Sequence, residues 1–384
     1  MVALIEWNAD QIALREGLAR WHEALSADHI EQDEQGAFSW DKWKLIQQCG
    51  ILSLPFDQRW GGLGQDLITT MYVLEGLGEG CRDGGLSFSV TTSMASVGIP
   101  LEHFGSAELK DKYLPRICSG EAIGAHAITE ADGGSDAMHM RTKANRDGDH
   151  FILRGSKTFV SNGPIADMFV IYAGTHPAGG PLGTTAFLVE RDTPGLEIGK
   201  PIKKMGLRTA PLSELFFDQC RIPASRVIGR VGGGFLVLDY VMKREILFSF
   251  IVNVGEMQHR LDRCIDYAKT RTQFGKPIGS YQAIANKIVD MKIRLETARK
   301  WLYDTAERLV NGQNVTVDMA IAKLLTSESN VTSSLAAVQI FGGNGYMTEY
   351  GLEKDVRNAV AGTIYSGTTE IQYNRIASML GLGR

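Results

Sequence analysis

The sequence predicts an α+β chain of three consecutive units: helical, then β-rich, then helical again. Three observations carry that prediction. Residues 1–124 are mostly helix-periodic, with polar loops such as "DQRWGGLGQD" between the apolar segments. Residues 125–232 hold short runs rich in Phe, Val, Ile and Thr, separated by Gly and Pro clusters. Residues 233–384 return to helical spacing, and no internal repeat or low-complexity linker interrupts the chain.

Within the middle unit, "DHFILRGSKTFVSNG", "DMFVIYAGT", "TTAFLVERD" and "ELFFDQCRIP" follow too closely for βαβ crossovers, so a small barrel or sandwich is expected. In the last unit, Ile284, Ile288, Met291, Leu295, Ala298 and Leu302 recur at steps of four and three. That stripe is built for a helical bundle. With 384 residues the chain can bury a substantial core. A net charge of −4 gives no electrostatic support to a nucleic-acid or anionic-membrane partner. Cys49, Cys81, Cys118, Cys220 and Cys264 are odd in number and scattered, without CxxC or metal-like spacing. A reduced, cytoplasmic protein with no metal site is expected. The opening apolar run breaks at Glu6, Asn8 and Asp10, unlike a signal peptide, and "ILFSFIVNVG" falls short of the ~18 residues that span a bilayer.

Four segments have the composition of a ligand site. In "HAITEADGGSD" (His126 to Asp136), Gly-Gly-Ser lets the backbone approach a phosphate, although it is also ordinary tight-turn chemistry. In "GSKTFVSNGPIAD", Phe159 and Ser161 lie two apart, on one face of a strand, which suits a planar ring as well as a half-buried strand. "RTQFGKPIGSYQ" is a Gly/Pro break between helices that offers Arg271 to a phosphate. "AVQIFGGNGY" clusters Gly342, Gly343 and Gly345. His126, taken alone, reads as a structural histidine.

Together and in this order, with "WGGLGQD" and "SGTTEIQ", these segments resemble the acyl-CoA dehydrogenase family over essentially the whole chain. The resemblance implies an N-terminal helical domain (1–124), a central β-barrel or sandwich domain (125–232) and a C-terminal four-helix bundle (233–384). It also implies FAD, shared across the interface of a homodimer or homotetramer. Ile128 and Thr129 fall where the family lines the flavin ring, and Ser135 at a pyrophosphate and substrate-side position. Phe159 stands where many relatives have Trp against the isoalloxazine, and Ser161 where they have Thr near flavin N5. Arg271, Gln273 and Phe274 match residues that reach the adenosine-diphosphate half from the neighbouring subunit. Gln339, Gly342 and Gly343 match another part of that site, and Thr368 and Glu370 its ribose and pyrophosphate contacts.

The reaction implied is removal of a Cα proton from a thioester while a hydride leaves Cβ for the flavin. It needs a carboxylate base, yet the place where many relatives keep it holds Ser366, a substrate-side residue that is too weak a base. A second group, similar to isovaleryl- and long-chain acyl-CoA dehydrogenases, carries the base on a bundle helix ten residues before a glycine. Glu245 lies ten residues before Gly255. Ile246, Leu247 and Phe248 supply the apolar setting in which a carboxylate becomes a stronger base. Glu245 is the base that the resemblance implies; on residues alone it reads rather as a surface partner of Lys243 or Arg244. Relatives commonly have Arg after this Glu, where this chain has Ile246. Arg244 does not replace it, because two residues on a helix turn a side chain by ~200°.

"GTIYSGTTEIQ" with a helix-borne Glu is similar to the branch that oxidises prolyl groups tethered to carrier proteins. The expected substrate is a small acyl or aminoacyl thioester on such a carrier, with electron-transfer flavoprotein or O₂ as acceptor. Two alternatives stand: a short- or branched-chain acyl-CoA dehydrogenase, and a flavin monooxygenase of the same fold, which lacks the base. Retention of flavin through gel filtration separates the last from the others.

Overall fold

The computed structural model describes residues 6–137, 139–176 and 180–382. The first region folds into α1 (Ala9–Ala19), α2 (His22–Ser26), α3 (His29–Gln35), α4 (Trp40–Cys49), α5 (Leu67–Gly80), α6 (Gly84–Ser93), α7 (Ile99–Phe104) and α8 (Ala107–Cys118). Asn8, Asp66 and Ser106 stand at the starts of α1, α5 and α8, each accepting a first-turn N–H. A π-helical turn, Met94–Gly98, joins α6 to α7.

The middle region forms β1 (Gly124–Ala127), β2 (Lys143–Asp147), β3 (His150–Ser161), β4 (Met168–Gly174), β5 (Thr184–Glu190), β6 (Leu196–Ile198), β7 (Leu212–Pro223) and β8 (Val227–Ile228). These strands make one sheet in the order β6-β7-β3-β2-β4-β5-β8, with β1 parallel to β4. The sheet curls around Phe151, Leu153, Phe169, Ile171, Phe187 and Phe217, an open barrel whose halves meet at the short β2–β4 contact. The other face of β4, with Met168, Val170 and Tyr172, joins the helical core. Asn162, fully buried, donates to the carbonyls of Ser89 (3.1 Å) and Gly124 (3.3 Å), tying the end of β3 to α6 and β1.

The last region carries three long helices, α9 (Gly234–Thr270), α10 (Gln282–Val310) and α11 (Thr316–Phe341), then α12 (Gly343–Tyr346), α13 (Leu352–Ala361) and α14 (Thr369–Met379). Met291, Leu295, Ala298 and Leu302 are buried as the α10 stripe requires. Both α13 and α14 pack on α11, completing the bundle. The break between α9 and α10 is a hairpin, β9 (Thr272–Gln273) with β10 (Lys276–Pro277). Its two central residues, Phe274 and Gly275, have φ of 49° and 79°, the sign a tight hairpin turn demands.

Helix α9 is fixed against α5 by a close crossing. A Cβ on Gly255 would lie 2.1 Å from the Glu75 carbonyl oxygen, and one on Gly78 2.0 Å from that of Val252. Only glycine admits backbones this near. Beside the crossing, buried Glu75 accepts from Arg299 (3.0 Å) and Tyr303 (2.8 Å) of α10. Asp355 of α13 faces Arg82 (3.0 Å), Arg260 (3.5 Å) and Lys354 (3.7 Å).

Burial pushes the pKa of Asp355 up, but Arg82, Lys354, Arg260 and Arg263 outweigh it and hold the carboxyl well below the usual carboxylate range. A folded pKa below the unfolded value adds stability that is full above about pH 4 and lost as pH falls. Asp355→Asn should therefore flatten the fall in stability below about pH 4, measured by urea unfolding. At neutral pH it should cost about 3–5 kcal/mol, since the buried cations then lose the carboxylate they pair with.

Candidate active site

Glu245 lies on α9 with its side chain 12 % exposed, beside the buried Ile246, Leu247 and Phe248. Its Oε1 accepts a 2.6 Å hydrogen bond from the Ser366 hydroxyl. Ser366 and Gly367 precede α14 with φ of 54° and 89°. Two successive left-handed residues reverse the chain, and the fully buried Gln372 holds that turn, donating to the carbonyls of Ser366 (3.2 Å) and Gly367 (3.0 Å). Thr368 caps α14 through the N–H of Ile371, and exposed Glu370 follows it. Hydrogen bonds to backbone N–H and to Thr368 lower the Glu370 pKa.

The second oxygen of Glu245 faces the sheet. Nε2 of His126 stands 3.2 Å from Oε2, within ion-pair distance but not aligned as a hydrogen bond. His126 comes from β1, in parallel register with Val170 of β4. Alternation along β4 then puts Tyr172 on the same face as Val170 and His126, the face turned to α9. Tyr172 is fully buried; burial first, and the Glu245 charge second, keep its hydroxyl protonated. Tyr365 is raised by burial, then by Glu256 and Glu245.

Ile128 and Thr129 follow His126 directly and are half-buried. The Thr129 carbonyl accepts from Thr158 (2.9 Å), which brings "HAITE" against "GSKTFVSNG". Fully buried Lys157 locks the join, donating to the Ile128 carbonyl (2.9 Å) and Glu130 (2.8 Å). Glu130 in turn accepts the N–H groups of Arg141 and Thr142 and so closes the loop that carries exposed Ser135. Burial lowers the Lys157 pKa against the pull of Glu130. Phe159, at φ 55° beside a register shift in β3, is 63 % exposed; Ser161 is half-buried. The bulge turns this aromatic outward where an even pleat would not.

The other predicted residues gather elsewhere. Arg271, Gln273, Phe274, Gly342 and Gly343 line a cleft of about 470 Å³ with Tyr267, Phe341 and Asn344. Gln339 is exposed on the last turn of α11, outside that lining. Along α9, Glu245 and Thr270 are about 25 residues apart, or about 37 Å at 1.5 Å per residue. One dinucleotide does not bridge that distance. The cleft fits an adenosine diphosphate on its own features. Among the described residues the Arg271 guanidinium has no acid partner, Phe274 is 93 % exposed, and Gly342 (φ 61°) and Gly343 have open space where a Cβ would stand. Another cleft, of about 800 Å³, lies between α1 and α5 and contains none of these residues.

Ile246 is 1 % exposed within the helical core, while Arg244 lies over the Tyr240 ring at 3.4 Å. Arg244 therefore does not take the place of the arginine that relatives commonly carry after this Glu. Sequence reasoning set His126 aside and did not single out Tyr172, Lys157, Glu130 or Gln372. None of them had a distinctive local signal; even Lys157 shares its strand with Arg154 and several other polar residues.

The acyl-CoA dehydrogenase N-terminal, middle and C-terminal domain models match residues 8–121, 125–220 and 232–381. The L-prolyl peptidyl-carrier-protein dehydrogenase of Serratia sp. strain ATCC 39006 is 41 % identical over 93 % of this chain and 94 % of its own. Among solved structures, the prolyl acyl carrier protein oxidase AnaB superimposes with TM-score 0.96 at 42 % identity, covering 98 % of this chain and 100 % of its own. PigA, solved with FAD and proline, gives TM-score 0.96 at 39 % identity over 99 % and 100 %.

The Lys157 lock is testable apart from any chemistry. Lys157→Met leaves Glu130 buried without its cation and should cost about 3–5 kcal/mol of stability. Limited proteolysis in the loop that follows Glu130 should then be faster than in the unchanged protein.

Proposed function

The chain belongs to the acyl-CoA dehydrogenase family, and we propose that it oxidises a prolyl-type aminoacyl thioester carried on a peptidyl or acyl carrier protein. The observation that carries this reading is Glu245, a helix-borne carboxylate enclosed between Ser366 and His126. The similarity to a prolyl-carrier dehydrogenase, AnaB and PigA supports the substrate class.

Glu245 acts as the base that takes the Cα proton. The Ser366 hydroxyl fixes one of its oxygens, which leaves the other to the substrate. Apolar neighbours on α9 exclude water, so the carboxylate is not satisfied by solvent. Ile128, Thr129, Phe159 and Ser161 would line the flavin ring, with Ser135, Thr368 and Glu370 toward its ribose and phosphates. Arg271, Gln273, Phe274, Gln339, Gly342 and Gly343 would hold the adenosine diphosphate of FAD bound chiefly to a second copy. FAD held there would supply the hydride acceptor for Cβ, with electron-transfer flavoprotein or O₂ as the onward electron acceptor. Exposed Val289, Ile293 and Leu335 on α10 and α11 give such a second copy an apolar face to cover. The cysteines are unpaired among the described residues, which supports a cytoplasmic setting.

Anaerobic loss of oxidised-flavin absorbance tests the reading, comparing a prolyl group on a carrier protein and on CoA. Bleaching by the carrier-bound form alone is expected; efficient bleaching by CoA thioesters returns the protein to acyl-CoA oxidation. Glu245→Gln should keep its FAD yet slow flavin reduction by about 10²–10⁴-fold. Full activity in that variant would sink the assignment. Ser366→Glu should not rescue it, since that position supplies a donor to the base.

A further inference from the structure

Around Glu245, three polar atoms are buried without a hydrogen-bond partner among the described residues: Oε2 of Glu245, Nδ1 of His126 and the hydroxyl of Tyr172. An orphan of this kind is costly to leave buried, so three at one place mark a surface that a polar ligand completes. The nearby hydroxyls are already committed. Ser366 donates to Oε1, and Tyr365 donates to Asn253 at 3.3 Å. His126 and Tyr172 are therefore the unoccupied polar groups on the sheet side of the base.

Their chemistry restricts the ligand. With Nε2 toward the carboxylate as an N–H, the imidazole leaves Nδ1 as an acceptor, and Tyr172 can accept or donate. A plain acyl chain has no polar atom beyond its thioester and would leave both unsatisfied. The ring nitrogen of an aminoacyl group is bonded directly to Cα, the carbon whose proton Glu245 takes. Wherever Cα meets the carboxylate, that nitrogen lies one bond away, beside the residue that shares Oε2.

We propose that His126 and Tyr172 form the subsite that receives the ring nitrogen and selects an aminoacyl over a plain acyl thioester. This rests on Glu245 being the base, and it assigns a cause to substrate choice that the base alone does not provide. The subsite lies on two adjacent strands, so it is held by sheet register rather than by a loop. A site that hydrogen-bonds its substrate rejects an analogue lacking the group far more strongly than an apolar pocket rejects a size change.

The test compares prolyl with cyclopentanecarbonyl on the same carrier protein, a ring of the same shape with CH₂ in place of N–H. Rates of anaerobic flavin reduction should favour prolyl by at least about a hundredfold. Tyr172→Phe, which removes only the oxygen, and His126→Leu should each narrow that ratio, mainly by slowing the prolyl form. The same preference should appear in the Kd values of both thioesters for the Glu245→Gln holoenzyme, where turnover is blocked. Equal reduction by both thioesters in the parent protein, or an unchanged ratio in the variants, overturns the subsite and leaves the dehydrogenase reading standing. If His126→Leu does not fold, Tyr172→Phe and the parent ratio still decide. Reduction by neither thioester overturns the proposed function, and the subsite with it.

Discussion

The backbone contact of α5 with α9 at Gly78 and Gly255 sets where everything else can stand. Two helices this close have no side chains between them, so neither can roll or slide without a clash. The crossing fixes α9 against the N-terminal helices, and the Glu75 and Asp355 clusters bind α10 and α13 to the same frame. With α9 immobile, Glu245 is delivered to one place between the sheet and the C-terminal turn. The hairpin after Thr270 is delivered to another, far along the same rod. The separation of the two groups of predicted cofactor residues is thus a property of one helix, and it favours assembly from more than one copy.

Much of this frame was legible in the sequence. Short runs rich in Phe, Val, Ile and Thr marked β3, β4, β5 and β7, and the spacing of Ile284 through Leu302 marked α10. The short strands β1, β2, β6 and β8 were not separable, since each is held by its neighbours rather than by its own pattern. "RTQFG" read as a break because nothing local announces that Phe274 will adopt a positive φ at a hairpin tip. At the site, Glu245 was singled out through the family resemblance and its spacing from Gly255, and that glycine lies at the close crossing that locates α9 against α5.

What stayed hidden was every partner supplied from elsewhere in the chain. His126 is unremarkable within "GAHAIT", and its meaning comes from a carboxylate contributed by α9. Tyr172 sits in a strand that looks wholly apolar, and only the parallel register of β1 with β4 aligns it with His126. Lys157 and Glu130 become a pair because a bulged strand and a loop meet. These contacts are tertiary, and no local propensity encodes them.

The exchange of residues at positions 245 and 366 follows from simple electrostatics. Two carboxylates at hydrogen-bond distance cannot both be ionised, and one would hold a proton at the pH where a base is needed. Once Glu245 occupies the pocket from α9, the position 2.6 Å away favours a donor, and Ser366 is small enough to give one within a left-handed turn. That donor satisfies Oε1 and keeps the carboxylate oriented, while Oε2 remains without a protein hydrogen bond. In the role proposed for Glu245, a carboxylate held at one oxygen and open at the other is preorganised toward a proton approaching from the sheet side. Serine at 366 is the complement of glutamate at 245, so the pair is better understood as one device than as a lost base and its substitute.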